Sequence, residues 1–349
     1  MKIGIITIID CINYGNRLQN YAVQQYINHN DMVTINNNTC LLDEIYKRFI
    51  IFIKSFGFKY EGGRYKNFVL FNKNVKFSRR VYFKNSNLNF LNNYDYLIVG
   101  SDQVWNPSFG RLNDLELLSF VDGSKRIAFS ASFGINDIPE DMKEKVGEEL
   151  KKFKAVSVRE DRGKEIIEEL TGRKDIEVLV DPTMLLTAEE WDKVSKKPKK
   201  LNSKKYILNY FLGNLSDSRR KEIERVAREN NCEIINLMDI NSSFYSCGPS
   251  EFLYLEKHAF LICTDSFHSC VFAILYNRPF IVFEREEENV ANMNSRIETL
   301  INKFKLKNRN FTGKITKNNL EHDYTEAFKI LDIERKKSEK FIKRALDVK

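Results

Sequence analysis

The stretch AFLICTDSFHSCVFAILYNRPFIVFER, residues 259–285, reads as a strand, a loop, a helix and a second strand in that order. Residues 259–263 form a short apolar run of the kind that a parallel sheet buries on both faces. Residues 271–276 continue as an apolar helix, and residues 280–283 return to strand after an Asn and a Pro. The stretch therefore predicts one βαβ crossover, the repeating unit of a doubly wound α/β sheet.

The polar residues of this stretch are gathered in TDSFHS, residues 264–269, between the first strand and the helix. Doubly wound sheets bind ligands at the carboxyl ends of their strands, which is where this loop lies. Asp265 or Ser266 can cap the helix, so that backbone N–H groups of its first turn point into the same crevice as His268 and suit a phosphate or carboxylate. The alternative is a capped helix with an incidental histidine.

Length and composition restrict the class of protein. The 349 residues, 42% hydrophobic and 30% charged, fit a soluble protein of two domains better than a disordered or fibrous one. No apolar run is long enough to cross a bilayer, and the chain enters a strand-like KIGIITIID at residue 2 where a signal peptide would stand. We therefore expect a cytoplasmic protein.

The spacing of the cysteines and the net charge restrict which ligands we expect the protein to bind. Six cysteines without CxxC spacing predict reduced thiols and no metal site. The net charge of +8 favours anionic partners, which include phosphorylated metabolites, lipid headgroups and nucleic acid, and does not choose among them.

Polar clusters also follow strands in the N-terminal half. Asn16 lies after the first strand, in a loop that lacks the GxGxxG glycines of a dinucleotide site. Asp102, Gln103 and Trp105 follow the strand YDYLIVG. Arg159 ends a further strand and precedes a helix, where its charge opposes the helix macrodipole unless an anionic ligand offsets it. An ion pair with the adjacent Glu160 or Asp161 is the alternative.

The order of these elements predicts two domains. Five strand signals precede residues 193–205, which contain seven lysines and are typical of a solvated linker, and four strand signals follow. Residues 36–93 have poor periodicity and indicate short helices or a long loop. We predict an N-terminal Rossmann-like domain at 1–192, the linker at 193–205, a C-terminal Rossmann-like domain at 206–320, and a basic amphipathic helix within 321–349.

Seven motifs along the chain together resemble the polysaccharide pyruvyl transferase family: NYGNRLQNYA, GSDQVW, SASFG, VSVRED, VDPTMLL, GPSEFL and TDSFHS. Each motif alone is weakly specific, but their order and spacing over residues 2–299 are specific for the family. The resemblance implies two Rossmann-like domains facing a cleft, as in B-type glycosyltransferases. It also implies transfer of pyruvyl from phosphoenolpyruvate, the donor substrate, onto sugar hydroxyls to form a ketal, with no other cofactor.

The resemblance also implies roles for particular residues. His268 and Arg159 occupy positions that hold phosphoenolpyruvate in the family. A second family arginine often stands two residues before that histidine, where this chain has Ser266. Arg296 is our candidate to replace it, provided that its helix starts at the cleft.

The predicted reaction needs an acid for the donor methylene, cationic or N–H groups for a carboxylate and a phosphate, and a base for the sugar hydroxyl. Histidine can donate a proton near neutral pH, and arginine can bind carboxylate or phosphate with two parallel hydrogen bonds. Asp102 is the candidate base, with turn capping as the alternative, and Trp105 is a candidate for sugar stacking, with packing as the alternative. The predicted catalytic residues are His268 and Asp102, and the predicted binding residues are Asn16, Gln103, Trp105, Arg159, Ser266, Ser269 and Arg296.

The leading hypothesis is a cytoplasmic enzyme that acts on a sugar of a capsular or other surface polysaccharide, or on its lipid-linked precursor, with peripheral contact to an anionic membrane surface. A B-type glycosyltransferase that uses a nucleotide sugar would have the same two-domain plan. A non-catalytic anion-binding protein would also explain the charge. Nucleic acid is not an expected partner, because the basic residues lack interleaved aromatic residues for base stacking.

Overall fold

The computed structural model describes residues 1–9, 12–38, 60–82, 88–285 and 295–348. The chain divides into two compact units, the first formed by residues 1–48, 72–186 and 333–349 and the second by residues 49–71 and 187–332. Of the segment 36–93, residues 39–59 and 83–87 lie outside the described residues, as do Cys11 and Cys40.

In its described residues, the first unit contains a parallel sheet of seven strands in the order β3-β2-β1-β4-β5-β6-β7. The strands are β1 (Ile3–Ile6), β2 (Met32–Asn38), β3 (Phe77–Tyr82), β4 (Tyr96–Val99), β5 (Arg126–Ala131), β6 (Ala155–Val158) and β7 (Glu177–Val178). The four central strands, β1 and β4 to β6, are almost continuously apolar because helices and loops cover both of their faces.

Three helices of the first unit accompany this sheet: α1 (Tyr14–Ile27), α3 (Glu140–Lys151) and α4 (Asp161–Thr171). Helix α2 (Glu61–Phe71) belongs to the second unit. Val146 and Leu150 of α3 and Ile166 of α4 join the sheet residues Val99 and Val156 in one buried cluster. Helical spacing of the apolar residues thus gives α3 and α4 one buried face each, whereas α1 is buried all around over its first eleven residues.

The described part of the second unit contains a parallel sheet of four strands in the order β11-β10-β8-β9. The strands are β8 (Tyr206–Tyr210), β9 (Glu233–Asn236), β10 (Leu261–Thr264) and β11 (Phe280–Val282). The later helices are α5 (Ala188–Asp192), α6 (Asp217–Glu229), α7 (Pro249–His258), α8 (Phe267–Leu275), α9 (Ser295–Lys303), α10 (Lys317–Leu320) and α11 (Thr325–Ala345). The predicted βαβ crossover at 259–285 is β10, α8 and β11.

The predicted domain bounds differ from these units. The middle segment of the first unit ends at Leu186 rather than at residue 192, and α2 belongs to the second unit, where Arg64 donates to the Tyr245 carbonyl (3.1 Å). Residues 333–349 belong to the first unit, because Arg335 of α11 donates to the carbonyls of Met184 and Leu186 (both 2.9 Å).

The predicted linker is packed against the second unit. The backbone N–H of Lys196 donates to the Ser250 carbonyl (2.9 Å), and Leu201 is buried. All seven lysine residues of 193–205 are nevertheless exposed. The segment is therefore a basic surface of the second unit and not a free connection.

Candidate functional site

Two groups of polar residues lie at the carboxyl edges of the two sheets, one in each unit. In the first unit, strand order reverses between β1 and β4, since β2 and β3 extend on one side of β1 and β4 to β7 on the other. Asn16, the third residue of α1, follows β1, and Asp102 follows β4. This reversal point is where open α/β sheets bind ligands.

The Asp102 carboxylate accepts hydrogen bonds from several groups at this point. Asn16 Nδ2 donates to Oδ2 (2.5 Å), whereas the Gln103 backbone N–H (2.9 Å) and Arg159 Nη2 (3.2 Å) donate to Oδ1. The hydrogen bond from the Gln103 backbone N–H fits turn capping by Asp102, which is the alternative to a role of Asp102 as the base. The structure thus brings together three predicted site residues, Asn16, Asp102 and Arg159.

Arg159 lies inside an ion-pair network. Its Nη1 lies 2.5 Å from Asp181 Oδ2, and the side chains of Arg159 and Asp181 are 1% and 0% exposed. Burial acts to lower the pKa of Arg159, but Asp181, Asp102 and Glu160 together raise it above its ordinary value. Asp181 and Asp102 therefore pair with Nη1 and Nη2 of the guanidinium, and Glu160 acts on Arg159 through its charge; direct binding of a ligand by Arg159 stays a prediction.

Asp181 was missed as a functional candidate. Besides Arg159 it accepts hydrogen bonds from Ser101 Oγ (3.2 Å) and from the backbone N–H and hydroxyl of Thr183 (2.9 and 2.7 Å). Asp181 belongs to the motif VDPTMLL and directly follows a strand-like run. An acidic residue at the end of a strand was the sequence feature that could have identified it.

Glu160 and Gln103 lie beside Gly134, which follows β5. Glu160 Oε1 accepts bonds from Ser132 Oγ and from the backbone N–H groups of Phe133 and Gly134 (2.8–3.2 Å), while Glu160 Oε2 has no hydrogen-bond partner among the described residues. Gln103 Nε2 is likewise buried without a partner in the part of the chain that the structure describes. Both atoms are therefore buried polar groups whose hydrogen bonds the described residues do not supply.

Trp105 is part of the core. Its side chain is 0% exposed, its Nε1 donates to the Glu116 carbonyl (3.1 Å), and its ring centroid lies 5.2 Å from that of Phe133 and 6.0 Å from that of Phe153. A ring covered in this way offers no accessible face to a sugar. The structure therefore supports the packing alternative and corrects the stacking prediction.

In the second unit the strand order reverses between β8 and β10. Asp265, which follows β10, accepts bonds from the backbone N–H groups of Leu212 and Gly213 after β8 (2.7 and 2.8 Å) and from Arg285 Nε after β11 (2.9 Å). Asp265 therefore ties the loops of three strands together, and its side chain is directed to these loops rather than to the start of α8. The sequence predicted Asp265 at this edge only as a possible helix cap, and it did not predict Arg285 there.

The first turn of α8 carries His268. Ser266 occupies the N-cap position without a side-chain capping bond to the described residues, and its backbone N–H donates to Thr264 Oγ1 (3.0 Å). His268 is 6% exposed and contacts the Phe267 ring edge to face, with 5.3 Å between ring centroids. Ser266, His268 and Ser269 thus lie together at the carboxyl edge of β10, as predicted from the sequence.

Ser269 connects α8 to α7. Its hydroxyl donates to Glu256 Oε1 (2.6 Å), and both residues are fully buried. Burial raises the pKa of Glu256 well above its ordinary value, against a smaller lowering effect of the Ser269 hydroxyl. The Ser269 hydroxyl is therefore engaged in this internal hydrogen bond. To fill its predicted role, it would have to contact Glu256 and a ligand at the same time.

Arg296 lies in the first turn of α9, is 8% exposed, and belongs to a helix that packs against α8.

Within the described residues, no cluster of His, Cys, Asp and Glu has the composition of a metal site, and no helix is long and apolar enough to cross a membrane. The four cysteines in the described part of the chain are free thiols.

A model of the polysaccharide pyruvyl transferase family matches residues 13–287, which is most of the chain. The protein belongs to the polysaccharide pyruvyl transferase family. Membership makes it a transferase and implies a sugar or polysaccharide acceptor. No curated protein sequence matches this one significantly.

Solved structures resemble this pyruvyl transferase in fold. UDP-N-acetylglucosamine 2-epimerase from Rickettsia bellii has 11% identity and a TM-score of 0.53, over 99% of this chain and 96% of that chain. A Listeria monocytogenes structure that is provisionally assigned the same activity has 14% identity and a TM-score of 0.50, over 100% and 92%. At this identity the likeness shows the fold alone: mixed α/β with parallel sheets, of the B-type glycosyltransferase kind, as predicted.

Proposed function

We propose that this member of the family transfers a pyruvyl group from phosphoenolpyruvate to two hydroxyls of a sugar in a surface or capsular polysaccharide, or in its lipid-linked precursor. The family match over residues 13–287 carries the proposal. Phosphoenolpyruvate serves as donor substrate without a further cofactor, and the enzyme works in the cytoplasm.

The chemistry assigns three tasks to the protein. Both sugar oxygens bond to C2 of the donor, the bond between C2 and the phosphate oxygen breaks, and the methylene carbon gains a proton to become a methyl group. A general acid near the methylene, hydrogen-bond donors for the carboxylate and phosphate, and a base for the sugar hydroxyls would serve these steps.

The described residues offer a candidate for each task. His268 is the proposed acid, and it lies in the first turn of α8, where backbone N–H groups and the helix dipole favour an anion. Arg296 and Ser266 are proposed to bind the donor. Asp102 is the proposed base, and Arg159 acts as a positioning residue that fixes the Asp102 carboxylate.

The test uses purified protein with phosphoenolpyruvate and a glycan fraction from the source organism. The proposal predicts release of inorganic phosphate that depends on the glycan, together with a new ketal methyl signal in the proton NMR spectrum of the glycan. Binding of a nucleoside diphosphate without any response to phosphoenolpyruvate would instead support the glycosyltransferase alternative.

A further inference from the structure

One surface of the second unit combines exposed apolar and basic side chains. Helix α2 buries Arg64, Phe68 and Phe71 on one face. Its opposite side presents Lys66, Val69 and Leu70, spaced i, i+3 and i+4, so that they share a face. Val69 and Leu70 are 46% and 43% exposed, which is unusual for neighbouring large apolar residues on a water-facing helix.

A second basic segment is anchored beside α2. Asn67 of α2 donates to the Ser246 carbonyl (2.8 Å) and packs against Gly248, immediately before α7. The backbone N–H of Lys196 donates to the carbonyl of Ser250, in the first turn of the same helix (2.9 Å). Lys200 Nζ also lies 4.6 Å from the centre of the Tyr60 ring, next to the start of α2. The start of α7 therefore holds both segments together.

The charged side chains that these two segments expose are all basic. The seven lysines of 193–205 are all exposed, and neither residues 62–71 nor residues 193–205 contain an aspartate or glutamate. We call the side chains of Lys66, Val69, Leu70 and these seven lysines the basic surface. Lysines together with exposed apolar side chains are the composition by which peripheral proteins bind the interface of an anionic bilayer.

We propose that the basic surface docks the enzyme on an anionic phospholipid bilayer, with the lysines at the headgroups and Val69 and Leu70 inserted among them. A soluble polyanion would contact the lysines but would leave the two apolar side chains in water, and for this reason the bilayer is the better partner. The inference extends the proposed function, because a lipid-linked acceptor would lie at a membrane.

The experiment is sedimentation of the full-length protein with vesicles of phosphatidylcholine alone or mixed with an equal part of phosphatidylglycerol. We expect binding only to the anionic vesicles, and release by high salt. Substituting Lys196, Lys197 and Lys199 by Gln should lower the partition coefficient roughly fivefold per lysine. The pair Val69→Ser and Leu70→Ser should lower it further at constant charge, by roughly tenfold for the two side chains.

Matched control variants distinguish binding through the basic surface from a general effect of net charge or of exposed apolar residues. Lys221, Lys307 and Lys314 are exposed lysines of the same unit, so their triple change to Gln alters net charge equally and should leave most of the binding intact. Ile333→Ser removes an apolar side chain that is 65% exposed elsewhere. All substituted residues are exposed, so thermal unfolding should be nearly unchanged.

Three results would overturn the inference: no binding to anionic vesicles, equal loss in the control lysine variant, or full binding by the Val69 and Leu70 variant. The last result would leave a purely electrostatic site for soluble polyanions. The assay contains neither donor nor acceptor. A protein that does not bind vesicles would therefore not argue against the proposed reaction, and a protein without pyruvyl transfer would not argue against docking.

Discussion

Arg159 Nη1 lies 2.5 Å from Asp181 Oδ2, and this ion pair is buried at the carboxyl edge of the first sheet. The same guanidinium reaches Asp102, so the two carboxylates share this cation. Removing it would leave both carboxylates buried without their cation.

We therefore expect Arg159→Ala to lower the free energy of unfolding by about 3–5 kcal/mol, the usual cost of breaking a buried pair from one side. The matched control is Arg162→Ala, three residues on, whose side chain is 29% exposed and pairs with Glu165 and Glu169 at the surface. That change should cost about 0–1 kcal/mol. Urea unfolding of both variants checks this. If the two variants are equally stable and only Arg159→Ala loses donor binding, then Arg159 binds the donor directly.

The pKa of Glu256 gives a prediction about pH. Because burial raises its pKa above the ordinary 4.5, the native state retains a proton that the unfolded chain releases. The stability from this group is therefore fully present below pH 4.5 and is lost as the pH rises through the folded pKa. Gln at this position keeps an oxygen acceptor for Ser269 and cannot ionise.

Relative to wild type, Glu256→Gln should gain stability as the pH rises above 4.5, by at most about 1.4 kcal/mol per pH unit. Urea midpoints of the two proteins across this range give the difference directly. A stability difference that is constant with pH would mean that Glu256 does not keep its proton in the native state.

Gly134 is expected to be intolerant of a side chain. Its φ is +62°, and a Cβ at this position would lie 1.9 Å from Gln103 Nε2. Gly172 has a similar φ of +72°, and no described residue comes within 4 Å of the same position there. Gly172→Ala therefore measures the backbone cost alone, about 1–2 kcal/mol.

Gly134→Ala should cost about 1–3 kcal/mol more than Gly172→Ala, from overpacking against Gln103. Adding Gln103→Ala should recover part of this extra cost, which thermal unfolding of the single and double variants will show. Equal costs at Gly134 and Gly172 would mean that the Gln103 side chain moves aside freely.

Much of the architecture could be predicted because apolar strand runs report burial directly. The four described strands of the second unit and five of the first followed from such runs, whereas β2 and β3 were missed. Their sequences, MVTINNN and FSRRVY, are polar because these strands lie at and next to the edge of the sheet. Position at a sheet edge depends on the whole topology, which local periodicity does not contain.

The site was predicted less completely, for a related reason. The sequence located polar residues at strand ends, and Asn16, Asp102 and Arg159 do lie together. It could not show that Asp181, from another strand end, would bury Arg159, or that Trp105 would turn into the core. Those outcomes depend on contacts between residues far apart in the chain.

His268 is the residue on which the proposed chemistry depends most. Gln at this position keeps a hydrogen-bonding side chain but cannot donate a proton, so His268→Gln should retain donor binding and lose about two to four orders of magnitude in turnover. His268→Ala should lose both. His258→Gln, at an exposed histidine of the same unit, is the control and should remain active. Normal turnover by His268→Gln would assign the proton transfer to another group.

Protonation of the phosphoenolpyruvate methylene is the central step of the proposed ketal formation, and turnover in heavy water tests it most directly. Mass and NMR spectra of the product should show one deuterium in each ketal methyl group, because that proton comes from solvent through the general acid. A pyruvylated product whose methyl group contains no solvent deuterium, or a product without a pyruvyl group, would contradict this mechanism.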